Sequence, residues 1–357
     1  MARKPRTKPV LGLDISTSSV KVVELAKAGS SYRAQTYAVE PMPDNAIADK
    51  VILNIEDVGE AVRRAYKRSR SRLKEAAVAI GGATVITKTV QIPTGLSARE
   101  QTEQIELMLP RIIPFAIEEV SYDFEEIGPS ANGDNSTDIL LVATRRDNVE
   151  HRQAVLELAG LKAAIVDCEV FALENAYSLL GDAVDKGEES EDKDNVVALV
   201  DFGSATTSFS VFENGRIVYT RDQAFGGRQL TDEIMQRYNL SYEDAGRAKR
   251  RGGLPDSYHD EVLMPFINDM AQQVNRALQF FYAATTEHTK VTQIFICGGC
   301  ASIPEAAEHI SEHLDLPTRV ANPFTSLKLT GRAQAQGIEQ DAPGLMVACG
   351  LAMRSFS

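Results

Sequence analysis

The stretch Leu11-Gly-Leu-Asp14-Ile-Ser-Thr-Ser-Ser19-Val-Lys-Val-Val-Glu-Leu25 decides how the whole chain is read. An apolar strand ends in Asp14, a turn of small hydroxyl residues follows, and a second apolar strand leads away. The design returns at Val197-Ala-Leu-Val200, Asp201-Phe-Gly-Ser-Ala-Thr-Thr207 and Ser208-Phe-Ser-Val-Phe212. One such hairpin says little, because Asp, Ser and Gly suit any turn. Two of them, one near the beginning and one past the middle, read as the start of each half of an internally duplicated protein.

The chemistry of these turns is phosphate chemistry. Backbone N–H groups that a phosphate can approach closely favour turns of Gly, Ser and Thr. A divalent cation adds a need for carboxylates, and Mg²⁺ typically takes one or two of them and keeps waters. Asp14 and Asp201 supply that combination symmetrically. Neither turn is a P-loop ending in Gly-Lys-Ser/Thr, and neither is G-x-G-x-x-G.

Composition sets the frame around the hairpins. At 357 residues the chain suits two lobes. Its 43% hydrophobic and 25% charged content is that of a globular protein. A net charge of -12 argues against general binding to nucleic acid. No apolar run approaches the roughly 18 residues needed to span a bilayer, and the basic N-terminus leads into a strand pattern, so a cytoplasmic location is expected. Cys297-Gly-Gly-Cys300 has C-x-x-C spacing, but no second pair completes a zinc cage. His309 and His313 share a helix face without a third convergent ligand. The Arg63–Lys74 run reads first as a solvated basic face that could lie toward an anionic leaflet once a partner tethers the protein.

Between the hairpins, Val85–Ile92 reads as a strand. Ser97 with Glu100 forms a capping box for a helix through Met108, and Pro110 and Pro114 break or re-start that helix. Asp138–Arg145 reads as strand, Asn148–Leu161 as helix and Ala163–Asp167 as strand. Residues 185–194 form an acidic crossing. A strand Thr292–Cys297 turns at Gly298-Gly299, and Gly344–Met353 reads as a small-residue helix able to pack tightly against another.

Two facing Asp-hairpins resemble the actin, DnaK-chaperone and sugar-kinase superfamily, whose five segments have counterparts here in order. Leu11–Leu25 and Ala198–Phe212 resemble its two phosphate segments. Asp167-Cys-Glu169-Val-Phe-Ala-Leu-Glu-Asn-Ala-Tyr177 resembles the first connecting helix, and Ile294–Pro304 the adenosine segment. Pro343–Met353 resembles the second connecting helix. The wording Gly12-Leu-Asp-Ile-Ser16, Gly298-Gly-Cys-Ala-Ser-Ile-Pro304 and Gly350-Leu-Ala-Met-Arg-Ser-Phe356 is similar to the PilM family of type IV pilus machines.

The resemblance implies an α/β, two-lobed actin-like (ribonuclease H-like) ATPase fold with an FtsA-type inserted α/β subdomain. The implied first lobe is 8–82 with 163–195 and 343–357. The insertion is 83–162, and the second lobe is 196–342 with a helical region at about 231–290. ATP and Mg²⁺ are the implied ligands, with Asp14 and Asp201 organising the metal mostly through water. Thr17, Ser18, Ser19, Lys21, Gly203, Ala205 and Thr206 would line the phosphates. Gly226, Gly227, Gly298, Gly299 and Ser302 would admit sugar and base, with Lys249 nearby and Glu169 orienting water. Gly246 stands where relatives carry a ribose-binding Glu, which points to weak affinity or at most slow turnover.

The implied partner is the cytoplasmic N-terminal peptide of the inner-membrane protein PilN, held between the first lobe and the insertion, where Leu109-Pro-Arg111-Ile-Ile-Pro-Phe115 is a candidate groove segment. Other pilus platform proteins, motor ATPases and self-association are further possibilities. The end at Phe356-Ser357 lacks the terminal amphipathic helix of FtsA, so direct membrane insertion is not expected. The alternatives are a small-molecule kinase or an FtsA-like cell-division ATPase.

Overall fold

Both Asp-ended hairpins form, and each seeds a sheet. The computed structural model describes residues 8–29, 31–130, 135–184, 196–285, 290–335 and 337–356. The acidic crossing expected at 185–194 lies outside them. Strands Leu11–Ile15 and Ser19–Ala28 pair antiparallel, as do Val196–Phe202 and Thr207–Glu213. In the first sheet the order is Lys162–Cys168, Glu75–Ile80, Leu11–Ile15, Ser19–Ala28, Ser31–Pro41, with the short Lys328–Leu329 at the edge. In the second it is Thr318–Val320, Gln293–Cys297, Val196–Phe202, Thr207–Glu213, Arg216–Gln223. Leaving aside the edge strand, the two orders coincide: a three-stranded meander extended by two parallel strands. The duplication read from two turns thus holds at the level of topology.

The central strands read as unbroken apolar runs because both their faces are covered; all five residues of Leu11–Ile15 are buried. Between the sheets lie helices Glu169–Tyr177 and Met346–Met353. They help join Ala77 and Val10 of the first sheet to Val197, Leu199 and Phe295 of the second in one shared cluster. Small residues make this closeness possible. A Cβ on Gly350 would sit 1.7 Å from the Ala172 carbonyl oxygen, and one on Gly12 would sit 1.8 Å from that of Ala348.

The insertion is a three-stranded sheet, Val85–Pro93, Ser136–Arg145 and Val120–Pro129, with Ser136–Arg145 in the middle. Helix Ala98–Ile112 completes it, and the Ser97–Glu100 capping box is present in both directions. Pro110 does not break this helix. It stands in the last turn and forgoes the N–H that would bond the Glu106 carbonyl, while buried Ile105 and Leu109 hold the helix in place. The stop comes at Pro114, which drives Ile113 into an extended conformation (φ -107°, ψ 127°). The proposed groove segment is mostly core: Ile113 is buried, and Ile112 and Phe115 pack against the same cluster.

Two stretches pack away from their expected lobes. Helix Arg146–Leu158 buries Val155 and Leu156 among Leu11, Val58 and Val78 of the first lobe. The insertion therefore ends, by packing, near Arg145 rather than at 162. Residues 324–342, expected in the second lobe, place Phe324, Leu327 and Ile338 against Val23, Leu25 and Tyr37 of the first.

Candidate functional site

Each hairpin turn is closed by its own backbone. Ser16 donates from both N–H (3.1 Å) and Oγ (2.9 Å) to the Ser19 carbonyl. Thr17 and Ser18 are left at the tip, with Ser18 accepting from the Met42 N–H at 3.0 Å. In the second turn Gly203 donates to the Thr206 carbonyl at 3.0 Å, leaving Ser204 and Ala205 at the tip. The start of helix Gly227–Tyr238 is pinned onto this turn by Gly227 N–H to Gly203 O (3.0 Å) and Arg228 N–H to Ser204 O (2.8 Å). Gly226 is needed there because a Cβ would meet the Ser204 oxygen at 2.4 Å. Lys249 donates to the Gly227 carbonyl (3.0 Å) and Thr231 Oγ1 (2.7 Å). It fastens the neighbouring helix Tyr242–Arg251 to this platform, and burial lowers its pKa.

Where the strands end, five charged side chains gather from both halves. Asp14 is buried and accepts from Lys21 Nζ at 2.8 Å; Lys21 also donates to Ser16 Oγ at 3.0 Å. Glu169, first residue of its helix, pairs with Lys50. Asp201 lies across from them, and its pKa is pushed up to about 6. Burial is the leading cause; Lys50 and Lys21 pull it down, while Asp14 and Glu169 push it further up. Lys21 is raised overall: burial opposes its charge, but Asp14, Asp201 and Glu169 outweigh that cost. Two aspartates, one from each hairpin, are the number of carboxylates that a hydrated Mg²⁺ typically takes. Gly298 closes the floor with φ +84°, and a Cβ there would fall 2.2 Å from Asp201 Oδ1. Gly299 faces open space. Ser302 lines a cavity of about 460 Å³ with Glu305, Glu308, Glu339 and Pro343, whose carbonyl accepts from the Gly298 N–H at 2.8 Å.

Sequence reasoning missed Lys50 and what holds it. Asp49 (φ 48°) and Lys50 (φ 66°) are consecutive left-handed residues, a conformation costing non-glycine residues about 1 kcal/mol or more each. A fully buried arginine holds them: Arg152 donates to Lys50 O (3.1 Å), Ala79 O (2.6 Å) and Asn148 O (3.0 Å). Gly81 leaves room for this pair, since a Cβ there would lie 2.2 Å from the Glu169 carboxylate and displace it. One signal was available: Gly81-Gly82 follows strand Glu75–Ile80 as Gly298-Gly299 follows Gln293–Cys297. Arg152 carries none. Replacing Lys50 with Met strands Glu169, and about 2 kcal/mol should be lost in denaturant unfolding at pH 7. The raised lysine pKa fixes the sign: this stability is fully present at neutral pH and is lost only as pH climbs past the usual lysine range.

The remaining sequence candidates are structural. The four cysteines are buried, and burial raises the Cys297 thiol well above its ordinary value. Among the described residues no cluster of His, Cys, Asp and Glu has the makings of a metal site by itself. His309 Nε2 donates to Asn268 Oδ1 at 2.6 Å, and its ring stacks on His313.

Comparison with known proteins places this geometry. A family model described as type IV pilus assembly protein PilM matches residues 12–356. Among solved structures, a chain of the PilM-PilN type IV pilus biogenesis complex matches with a TM-score of 0.79 and 23% identity, over 99% of this chain and 100% of that one. The ethanolamine utilization protein EutJ from Carboxydothermus hydrogenoformans gives 0.56 at 18% identity, over 99% and 92%. The cell division protein FtsA of Bacillus subtilis is 23% identical over 361 residues, 94% of this chain and 74% of FtsA. The two-lobed actin-like ATPase fold expected from the paired hairpins is the fold these proteins share. No described helix is long and apolar enough to cross a membrane. Matched over nearly its whole length, the chain belongs to the PilM family of type IV pilus assembly proteins.

Proposed function

We propose that this chain is the ATP-loaded cytoplasmic adaptor of the type IV pilus inner-membrane platform, binding the N-terminal tail of PilN and thereby supporting pilus assembly and twitching motility. The observation that carries the nucleotide part is the convergence onto one cleft of Asp14 and Lys21 from the first hairpin, Asp201 from the second, and Glu169 from the start of its helix. The donor set fits ATP with Mg²⁺: Asp14 and Asp201 would hold the cation's water shell, and Lys21 and the two turns would face the phosphates. Bound nucleotide would supply a charged bridge between the lobes. Glu169, tied to Lys50, is poorly placed to act freely on water, which agrees with slow hydrolysis at most. The protein would then sit beneath the inner membrane through its partners.

The partner part rests on family membership and on the insertion, a second small α/β body carried on the first lobe. Ile117, in the insertion, and Leu158, on the helix Arg146–Leu158 that packs on the first lobe, are both exposed apolar side chains. Extended or helical peptides anchored by a few apolar side chains suit such a surface. A fluorescent peptide of the PilN tail from the same cell should bind with about micromolar affinity, sufficient once tethering raises the effective concentration. Replacing 85–145 by a short linker spares the Arg146–Leu158 helix and should abolish binding. Undiminished binding by that folded variant would place the groove elsewhere.

Gly246 offers a separate check of the nucleotide side. It lies within helix Tyr242–Arg251, and a Cβ there would meet only the far end of Arg250, at 3.9 Å. Gly246→Glu should therefore stabilise the helix by roughly 0.5–1 kcal/mol. It should also tighten ATP binding several-fold by offering a carboxylate to the ribose. An unchanged dissociation constant in an ATP titration would remove this segment from the site.

A further inference from the structure

The end of the first lobe opposite the cleft carries charge that nucleotide chemistry does not use. Strands Lys162–Cys168, Glu75–Ile80 and Leu11–Ile15 run parallel, and Asp14 and Glu169 stand at their finishing ends. Their starting ends, about 17 Å back for a five-residue strand, carry Lys162, Lys74 and, three residues before Leu11, Lys8. Helix Ile55–Ser69 delivers its C-terminus to the same edge, because only 70–74 separate it from Glu75. Between 61 and 99 the sequence holds one acidic residue, Glu75.

Most of this charge is unspent. Arg63 pairs with Glu60 and Arg68 with Glu40. Arg64, Lys67, Arg70 and Arg72 are exposed and make no ion pair among the described residues. The helix dipole accounts for Lys67 and Arg68, which stand in the last turn. It does not account for Arg70, Arg72 or Lys74, which lie beyond the helix. The chain as a whole carries -12, so this face is opposite in sign to the molecule that bears it. Acidic groups elsewhere are screened from it, since the Debye length at physiological salt is about 8 Å.

We infer that this face is a docking surface for an anionic phospholipid bilayer. Clusters of four to eight Lys and Arg are drawn to such surfaces by a potential that needs no shaped pocket. Single-stranded nucleic acid would need aromatic platforms; the one aromatic here, Tyr66, has its ring covered by Lys74 Nζ at 4.8 Å from the centroid. Docked this way, the first lobe turns its cleft away from the bilayer, so the nucleotide site stays open to solution. The surface acts by adsorption, with no inserted segment.

The test is flotation of the full chain, without nucleotide, on vesicles of pure phosphatidylcholine and of phosphatidylcholine with phosphatidylglycerol. The protein should favour the anionic vesicles, and added salt should weaken binding. Arg64→Gln, Arg70→Gln and Arg72→Gln together should weaken it on the order of a hundredfold. Arg99→Gln, Arg250→Gln and Arg251→Gln make the same change in net charge elsewhere and should leave binding within about twofold. Thermal melts check that the triple variant folds; should it not, the single variant Arg70→Glu is expected to lose about tenfold or more. Equal binding to both vesicle types, equal loss in the two triple variants, or tighter binding to duplex DNA than to anionic vesicles would overturn the inference.

Discussion

Replacing Asp201 with Asn should raise the melting temperature of the nucleotide-free protein at pH 7.5 while abolishing its response to Mg²⁺ and ATP. The stability gain follows from the carboxyl's pKa of about 6 against an ordinary 3.8. A carboxyl raised by folding is penalised when ionised. The penalty is full above about pH 6, relieved as pH falls through the window down to 3.8, and absent below it. At about 1.4 kcal/mol per tenfold change in the acid constant, the ceiling is about 3 kcal/mol. An amide in the same place must still satisfy its own hydrogen bonds, so a net gain of about 1–2 kcal/mol is expected. For a protein of this size that is a rise of several degrees. The gain should vanish by pH 4, and melts at pH 7.5 and pH 4 measure it. A carboxylate that costs stability where nothing binds it, in a cleft built around it, is the mark of a site kept for a ligand.

Gly350→Val should be the most destructive single change outside the cleft. The added Cβ would stand 1.7 Å from the Ala172 carbonyl oxygen and 3.0 Å from Ala172 Cα. That is backbone against backbone, so no rotamer change relieves it. Helices Met346–Met353 and Glu169–Tyr177 must separate, and with them the apolar cluster that joins the two sheets. The loss should exceed about 4 kcal/mol, at the extreme of single-substitution effects. It should appear as insoluble protein or as a much lower urea midpoint. Gly299→Ala is the matched control: its Cβ would meet nothing within 4 Å and its φ is ordinary, so stability should barely change.

What the sequence disclosed and what it hid divide along a physical line. The hairpins were legible because Leu11–Ile15 and Val196–Phe202 are almost wholly buried, which writes them as apolar runs ended by an aspartate. The small-residue helix Met346–Met353 was legible for the same reason. Strand Val120–Pro129 was not, because as an edge strand it has only Val120 buried and carries Asp123, Glu125 and Glu126 where a buried strand carries Val or Ile. Lys50 was hidden because its role depends on two left-handed residues and on an arginine 102 positions away. Lys328–Leu329 pairs with Arg33–Ala34 over two residues only, too short for any period to show. Pro110 misled because the burial of Ile105 and Leu109 holds the helix through it, and the end was set by Pro114.

The central claim is that the two hairpins make one Mg²⁺-dependent nucleotide site, and calorimetric titration of ATP tests it most directly. Wild-type protein with Mg²⁺ should bind one ATP with a dissociation constant of about micromolar magnitude. EDTA should weaken binding at least tenfold, and Asp14→Ala and Asp201→Ala should each do the same, because each removes one of the two carboxylates that organise the cation. Full affinity in either variant, or equal affinity with and without metal, would contradict the account.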